Sequence, residues 1–183
     1  MMKRTIVHVI SRTCSLNGWL AKWLCRHAPD FNIIFSPYSV EVGRNLSVET
    51  FLKLDDGDFL IQMDDDIYPL ETTKNIFKPQ DDVVTYCGCP TRSVRGYNAD
   101  GLLVPNCMCI PRTILEKIDP PWFLPKVTKS GSGWVKSEVR DFLEKLQKIG
   151  YTTKVVGQVG HISQVVLYFE GTRIAITQPK WVT

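Results

Sequence analysis

LIQMDDDIYPLE, residues Leu60–Glu71, drives an apolar run into three consecutive aspartates and then a proline. The apolar part has the length and bulk of a buried strand, and the proline stops it. Three adjacent carboxylates repel one another, and burial raises their pKa values unless a cation or water reaches them. In open α/β sheets, ligands gather at the carboxyl ends of strands. A strand that ends in carboxylates therefore marks the ligand edge. If the strand continued through the acids, Asp64 and Asp66 would point to one side. Two hard oxygen donors on one side suit Mg²⁺ or Mn²⁺. The competing reading is a solvated acidic turn.

Working outward, Thr5 to Ile10 is a β-branched run, expected as the first strand. Ser15 is expected to cap a helix running to about His27, with Leu16, Leu20, Trp23 and Leu24 on one face. Trp19 and Trp23, one turn apart, read as core packing. Phe31 to Phe35 is a second strand, Asn45 to Leu54 a second helix, and Asp55-Asp56-Gly57-Asp58 a turn before the strand at Phe59–Met63. A short helix near Glu71 to Phe77 and a strand at Val83 to Cys87 follow. Residues 90 to 101 are turn-rich. Leu102 to Ile110 reads as strand, with Pro111 opening a helix through Ile118. Asp119 to Lys136 is a long Pro-, Gly- and Ser-rich loop carrying Trp122 and Trp134. Ser137 caps the most strongly periodic helix, which buries Val139, Phe142, Leu143, Leu146 and Ile149 and stops at Gly150. Val155 and Val156 suggest a strand. Gln164–Phe169 and Arg173–Thr177 read as a closing hairpin. Strand–helix–strand–helix–strand at the front predicts an α/β fold: one Rossmann-like domain over 1–183, a mixed, mostly parallel sheet flanked by helices.

The 183 residues suffice for one core, and 22 basic against 19 acidic residues leave a net charge of +3, too mild to argue for nucleic acid. No run is long enough to span a bilayer. MMKRTIVHVISRT is a poor signal peptide, since Arg12 follows a brief apolar run with no small-residue cleavage site. Cys87, Cys89, Cys107 and Cys109 form two C-x-C pairs whose members share a strand face. Buried thiols in a reducing, cytoplasmic setting are the reading, ahead of a disulfide or zinc. For a viral chain that setting is the host cytoplasm.

RNLSVETFLKLDDGDFLIQMDDDIYP, NCMCIPRTILEKI with PPWF, SEVRDFLEKLQKIGY and GHIS occur in this order. Together they resemble the metal-dependent, D-x-D-containing glycosyltransferases of the GT-A fold, family 2-like, in their small viral and bacterial forms. The likeness runs from about Thr5 to His161. It implies transfer of a sugar from a nucleoside diphosphate sugar to an acceptor hydroxyl, with inversion. It also implies Mn²⁺ or Mg²⁺ held by Asp64, Asp66 and His161. Ser11 and Arg12 would lie near the nucleoside, Arg44 near the diphosphate or ribose, and Asp64 and Asp65 on the donor. Trp122 and Trp134 are candidates for stacking, and SGSGW for a lid. An acid of the late helix would act as base: Glu138 first, Asp141 second, three apart on one face. The family's Glu-Asp pair is Glu138-Val139 here, which puts the catalytic assignment in question. The acceptor is a glycan, a protein or a lipid-linked sugar, and a second copy of the chain is a candidate partner. Two rivals stand: a non-catalytic glycan- or nucleotide-binding module, and a phosphatase of haloacid dehalogenase type. In the latter motif, Thr or Val is wanted where Tyr68 stands.

Overall fold

A computed structural model describes the backbone of residues 3–89, 104–127, 134–169 and 172–179; for 161–179, and for 104, 127, 134 and 135, it describes backbone alone. The turn-rich stretch 90–101 and the glycines of SGSGW lie outside the described residues.

Three strands and two helices open the chain: β1 (Thr5–Ser11), α1 (Gly18–His27), β2 (Asn32–Phe35), α2 (Val40–Leu52) and β3 (Phe59–Asp64). After them come β4 (Ile67–Pro69), a 3-10 turn at Glu71–Phe77, β5 (Val83–Cys89), β6 (Val104–Pro111) and α3 (Arg112–Leu115). The chain closes with β7 (Lys126–Val127), β8 (Trp134–Lys136), α4 (Glu138–Lys148), β9 (Thr152–Phe169) and β10 (Thr172–Pro179). The main sheet has the order β10-β9-β5-β6-β3-β1-β2, with β4 on β9 and β7–β8 a separate ribbon. β2, β1, β3, β5 and β9 run one way, and β6 and β10 run against them. The result is the expected α/β fold with a mixed, mostly parallel sheet. No helix among the described residues is long and apolar enough to cross a membrane.

The alternation of each strand sorts its side chains into two cores. Ile6, Leu60, Met108, Ile110 and Tyr86 face α2 and α4, where they meet Val48, Phe51, Val139, Phe142 and Leu146. Val7, Val9, Ile61 and Met63 face α1, where they meet Leu20, Leu24 and all four C-x-C cysteines. Those thiols are buried and form no disulfide. Burial pushes Cys109 up to about 12, so they serve as small hydrophobes.

Several boundaries differ from the sequence reading. Asn17, not Ser15, caps α1: its side chain accepts from Leu20 N at 2.9 Å. Trp19 is 44% exposed, whereas Trp23 packs on the core and stacks on Phe77. Helix α2 begins five residues before Asn45, at Val40. Gly43 would ordinarily weaken a helix. Here it lets α2 lie against β1, because a Cβ at Gly43 would meet Ile10 Cγ2 at 2.6 Å and Ser36 Cβ at 3.0 Å. Strand β3 ends at Asp64, so the acids do not continue its alternation. Pro111 closes β6, and the helix after it lasts only four residues. The long loop holds the β7–β8 ribbon, and β9 runs unbroken through GHIS. Ile149, expected inside, is 40% exposed beyond the end of α4, where Gly150 adopts φ +80°.

Gly43→Ala tests the close approach. Helix propensity alone favours Ala by about 1 kcal/mol. The contact with a stiff β-branched side chain outweighs it, so a net loss of about 1–3 kcal/mol is expected in urea unfolding. A stabilised variant would contradict the packing.

Candidate functional site

Four elements converge at the carboxyl edge of the parallel strands. The end of β3 brings Asp64, the second turn of α2 brings Arg44, the first residue of α4 brings Glu138, and the start of antiparallel β6 brings Asn106. Arg44 Nη2 donates to Asp64 Oδ1 at 2.6 Å, and its Nε stands 3.5 Å from Glu138 Oε1. Asn106 Nδ2 donates to the other Asp64 oxygen at 3.0 Å. The Arg44 side chain is 2% exposed, those of Asp64 and Glu138 14% each. Below the guanidinium lies the Phe123 ring, 5.9 Å from centroid to Cζ. Gln62 Nε2 holds the backbone of Arg44 through its carbonyl at 2.9 Å. Among the described residues, Arg44 Nη1, Asn106 Oδ1 and Gln62 Oε1 have no hydrogen-bond partner, so the cluster retains buried polar capacity.

Burial pushes the Asp64 carboxyl up to about 6. Arg44 and Asn106 act against this, while Asp66 and Glu138 add to it. Burial likewise raises Asp65, with Ser11 and Arg12 countering it. Ser11 is buried at the end of β1, where its hydroxyl accepts from Thr13 N and Ser15 N at 3.3 Å; Arg12 beside it is exposed. Asn17 Nδ2 donates to the carbonyls of Asp65 and Ile67 at 2.8 and 2.9 Å, which fixes the acidic turn to α1.

The structure thus brings Ser11, Arg44, Asp64, Asp65, Asp66 and Glu138 to one edge and separates Asp141 from them. Asp141 is buried between Lys136 Nζ and Lys145 Nζ, both at 2.7 Å, and accepts from Leu124 N at 3.3 Å. Burial would raise its carboxyl, but the two lysines prevail and hold it below the usual range. It anchors the segment before α4. Arg44 is neither an exposed helix-start arginine nor open to ligand along its length; it is sequestered by two carboxylates. Trp122 is buried, and its indole donates to Leu115 O at 3.0 Å, so it packs the core and has no face for stacking. The side chains of Trp134 and His161 lie outside the described residues. The His161 backbone pairs with Ile67, next to Asp66.

Sequence reading missed Asn106, Gln62 and Phe123. A polar residue where an antiparallel strand starts beside Asp64 is the only signal Asn106 offered. Phe123 reads as part of a Pro-Trp-Phe element, with nothing to connect it to Arg44.

No protein-family model matches the chain, and no curated protein does. Solved structures do. The crystal structure of A197 from STIV matches 98% of this chain and 96% of its own at 20% identity and a TM-score of 0.63. A glycosyltransferase involved in the glycosylation of the major capsid of PBCV-1 matches 84% of this chain and 82% of its own, at 11% identity and a TM-score of 0.53. The chain therefore shares the fold of these two structures.

The Asp64 carboxyl sets a pH test. Its folded value lies above its ordinary 3.8, so its stabilising contribution is full below about pH 4 and is lost as pH rises through about 6. Buried His8, bonded to Ser47 Oγ at 2.9 Å, is pulled by burial from 6.5 to about 4. Its contribution has the opposite sign: present above 6.5 and lost as pH falls towards 4. Asp64→Asn should leave the His8 titration unopposed. Relative to the parent chain the variant should gain on the order of 2–3 kcal/mol between pH 4 and pH 7, read as a widening difference in chemical denaturation midpoints. A constant difference would show that Asp64 is not held in this environment.

Proposed function

We propose that the chain is a metal-dependent glycosyltransferase of GT-A type that moves a sugar from a nucleoside diphosphate sugar to an acceptor hydroxyl, with inversion. One observation carries the reading: in a glycosyltransferase-like fold, a single buried arginine joins the acid that ends β3 to the acid that opens α4.

Among the described residues no group of three metal-ligating side chains is assembled, so a divalent cation would take His161 as a further ligand and would compete with Arg44 and Asn106 for Asp64. Asp64 and Glu138 share one guanidinium, and burial, with repulsion from Asp66 and Glu138, lifts Asp64 to about 6. Asp64 and Asp66, with His161 beside them in register, would hold the ion. When bound, it neutralises charge on the diphosphate as that group departs. The chain's own residues do the rest. Ser11, Arg12 and Asp65 line the end of β1 and the acidic turn, where the nucleoside lies. Glu138 takes the proton from the acceptor hydroxyl as the new glycosidic bond forms on the face of the sugar opposite the leaving diphosphate. Arg44 holds Glu138 in place before substrate arrives, which removes the need to order it during reaction. Trp134 and SGSGW are the candidates for a closing element that excludes water.

The two acids of α4 should separate cleanly. Glu138→Gln should cut release of nucleoside diphosphate from the donor and acceptor by about 10²- to 10⁴-fold while nucleotide binding persists. Asp141→Asn should instead lower stability by about 1–3 kcal/mol, through loss of its two lysine contacts, and keep most of the turnover. Equal loss of turnover in both, or none in Glu138→Gln, would remove Glu138 from the role of base.

A further inference from the structure

We propose that the corner between Trp19 and Tyr68 is a saccharide platform, where a pyranose ring of the acceptor lies against aromatic rings beside the acidic turn. The proposal rests on the sugar-transfer reading and names the acceptor class as a glycan.

Trp19 leaves 44% of itself in water, a large apolar exposure for an indole. Its ring meets Tyr68 edge to face, with centroids 5.6 Å apart and planes inclined by 70°. Two planes at that angle make a step. A sugar's C–H face can rest on one ring while its hydroxyls reach the polar tips, since indole N–H and phenol O–H border the apolar area. The step is anchored to the candidate site at both ends. Asn17, two residues before Trp19, donates to the Asp65 and Ile67 carbonyls, and Tyr68 follows Asp66 by two. Tyr68 also pairs through its backbone with Gly160.

The rings continue along α1. Trp23 and His27 follow Trp19 at four-residue intervals, about 6 Å apart along the axis. Trp23 stacks on Phe77 at 5.5 Å and 22°, and His27 lies over the same ring at 6.4 Å and 21°. Lys22 and Arg26 are exposed on the same helix and supply hydrogen-bond donors. An aromatic ridge with a polar border, leading away from the acids, suits a chain of sugars better than a protein. The exposed aliphatic residues that a protein interface would bury, Ile33, Val42 and Leu46, lie instead on the β2–α2 side.

The test uses the whole chain and four neutral probes: maltotetraose, cellotetraose, mannotetraose and chitotetraose. Saturation-transfer NMR and tryptophan fluorescence are recorded for the parent chain, Trp19→Ala and Trp19→Phe. At least one probe should bind saturably, Trp19→Ala should weaken it about tenfold, and Trp19→Phe should restore most of the affinity. Because Trp19 is exposed, thermal melting of Trp19→Ala should match the parent. Binding of nucleoside diphosphates should also be unchanged, which separates this proposal from the donor-site reading. No transfer from any probe, or transfer indifferent to Trp19, overturns the platform. Self-association that disappears in Trp19→Ala also overturns it, by assigning the ridge to a second copy.

Discussion

A guanidinium taken out of water must be matched by anions, or the fold that buries it is lost. Arg44 is matched twice, by the acid at the end of β3 and by the acid at the start of α4. Its helix can reach that depth because Gly43 lies flat on Ile10 and Ser36. The next residue, Asn45, fastens the same turn to the segment before α4: its amide donates to Phe123 O at 2.8 Å, and its oxygen accepts from Phe123 N at 3.1 Å. Leu124 then passes the connection to Asp141. Position of the β3 acid and position of the α4 acid are thus one structural problem with one solution.

The arrangement costs stability where the chemistry needs charge. Two carboxylates crowd one arginine with Asp66 close by, and burial holds Asp64 in a state that resists ionisation. Compensation comes from apolar packing on both faces of the sheet and from Arg112. That side chain donates to the carbonyls of Phe51 and Gly57 and lies over the Phe51 ring at 4.6 Å. It satisfies the carbonyls left open where α2 ends. The acidic edge is strained by charge, and the opposite end of the same helix is tightly closed.

Much of this was legible because the governing forces are local. The capped, periodic helix α4, the β-branched strand β1, the apolar approach to the acids and the closing hairpin all follow from spacing and turn chemistry. What escaped was tertiary. The sequence reading started α2 at Asn45, and only the contact with Ile10 shows why a glycine stands inside the helix at Gly43. Glu138 and Asp141 share a helix turn, and sequence ranked one before the other without a physical reason for the choice. Lys136 and Lys145 supply that reason by closing around Asp141. Trp19 and Trp122 exchanged roles: the indole expected in the core faces water, and one offered for stacking is buried. Burial of a tryptophan depends on what packs over it, which one-dimensional periodicity does not encode.

The central claim is that the acidic edge binds a nucleoside diphosphate together with a divalent cation. Its most direct test is thermal melting of the parent chain and Asp66→Ala with UDP, GDP, CDP or dTDP, each with Mn²⁺, Mg²⁺ or chelator. Ligand that binds only the folded chain raises its melting temperature by mass action. The account predicts a rise for one nucleotide that requires the metal and vanishes in Asp66→Ala. A chain indifferent to all four nucleotides, or a rise that survives both chelator and loss of Asp66, would contradict it.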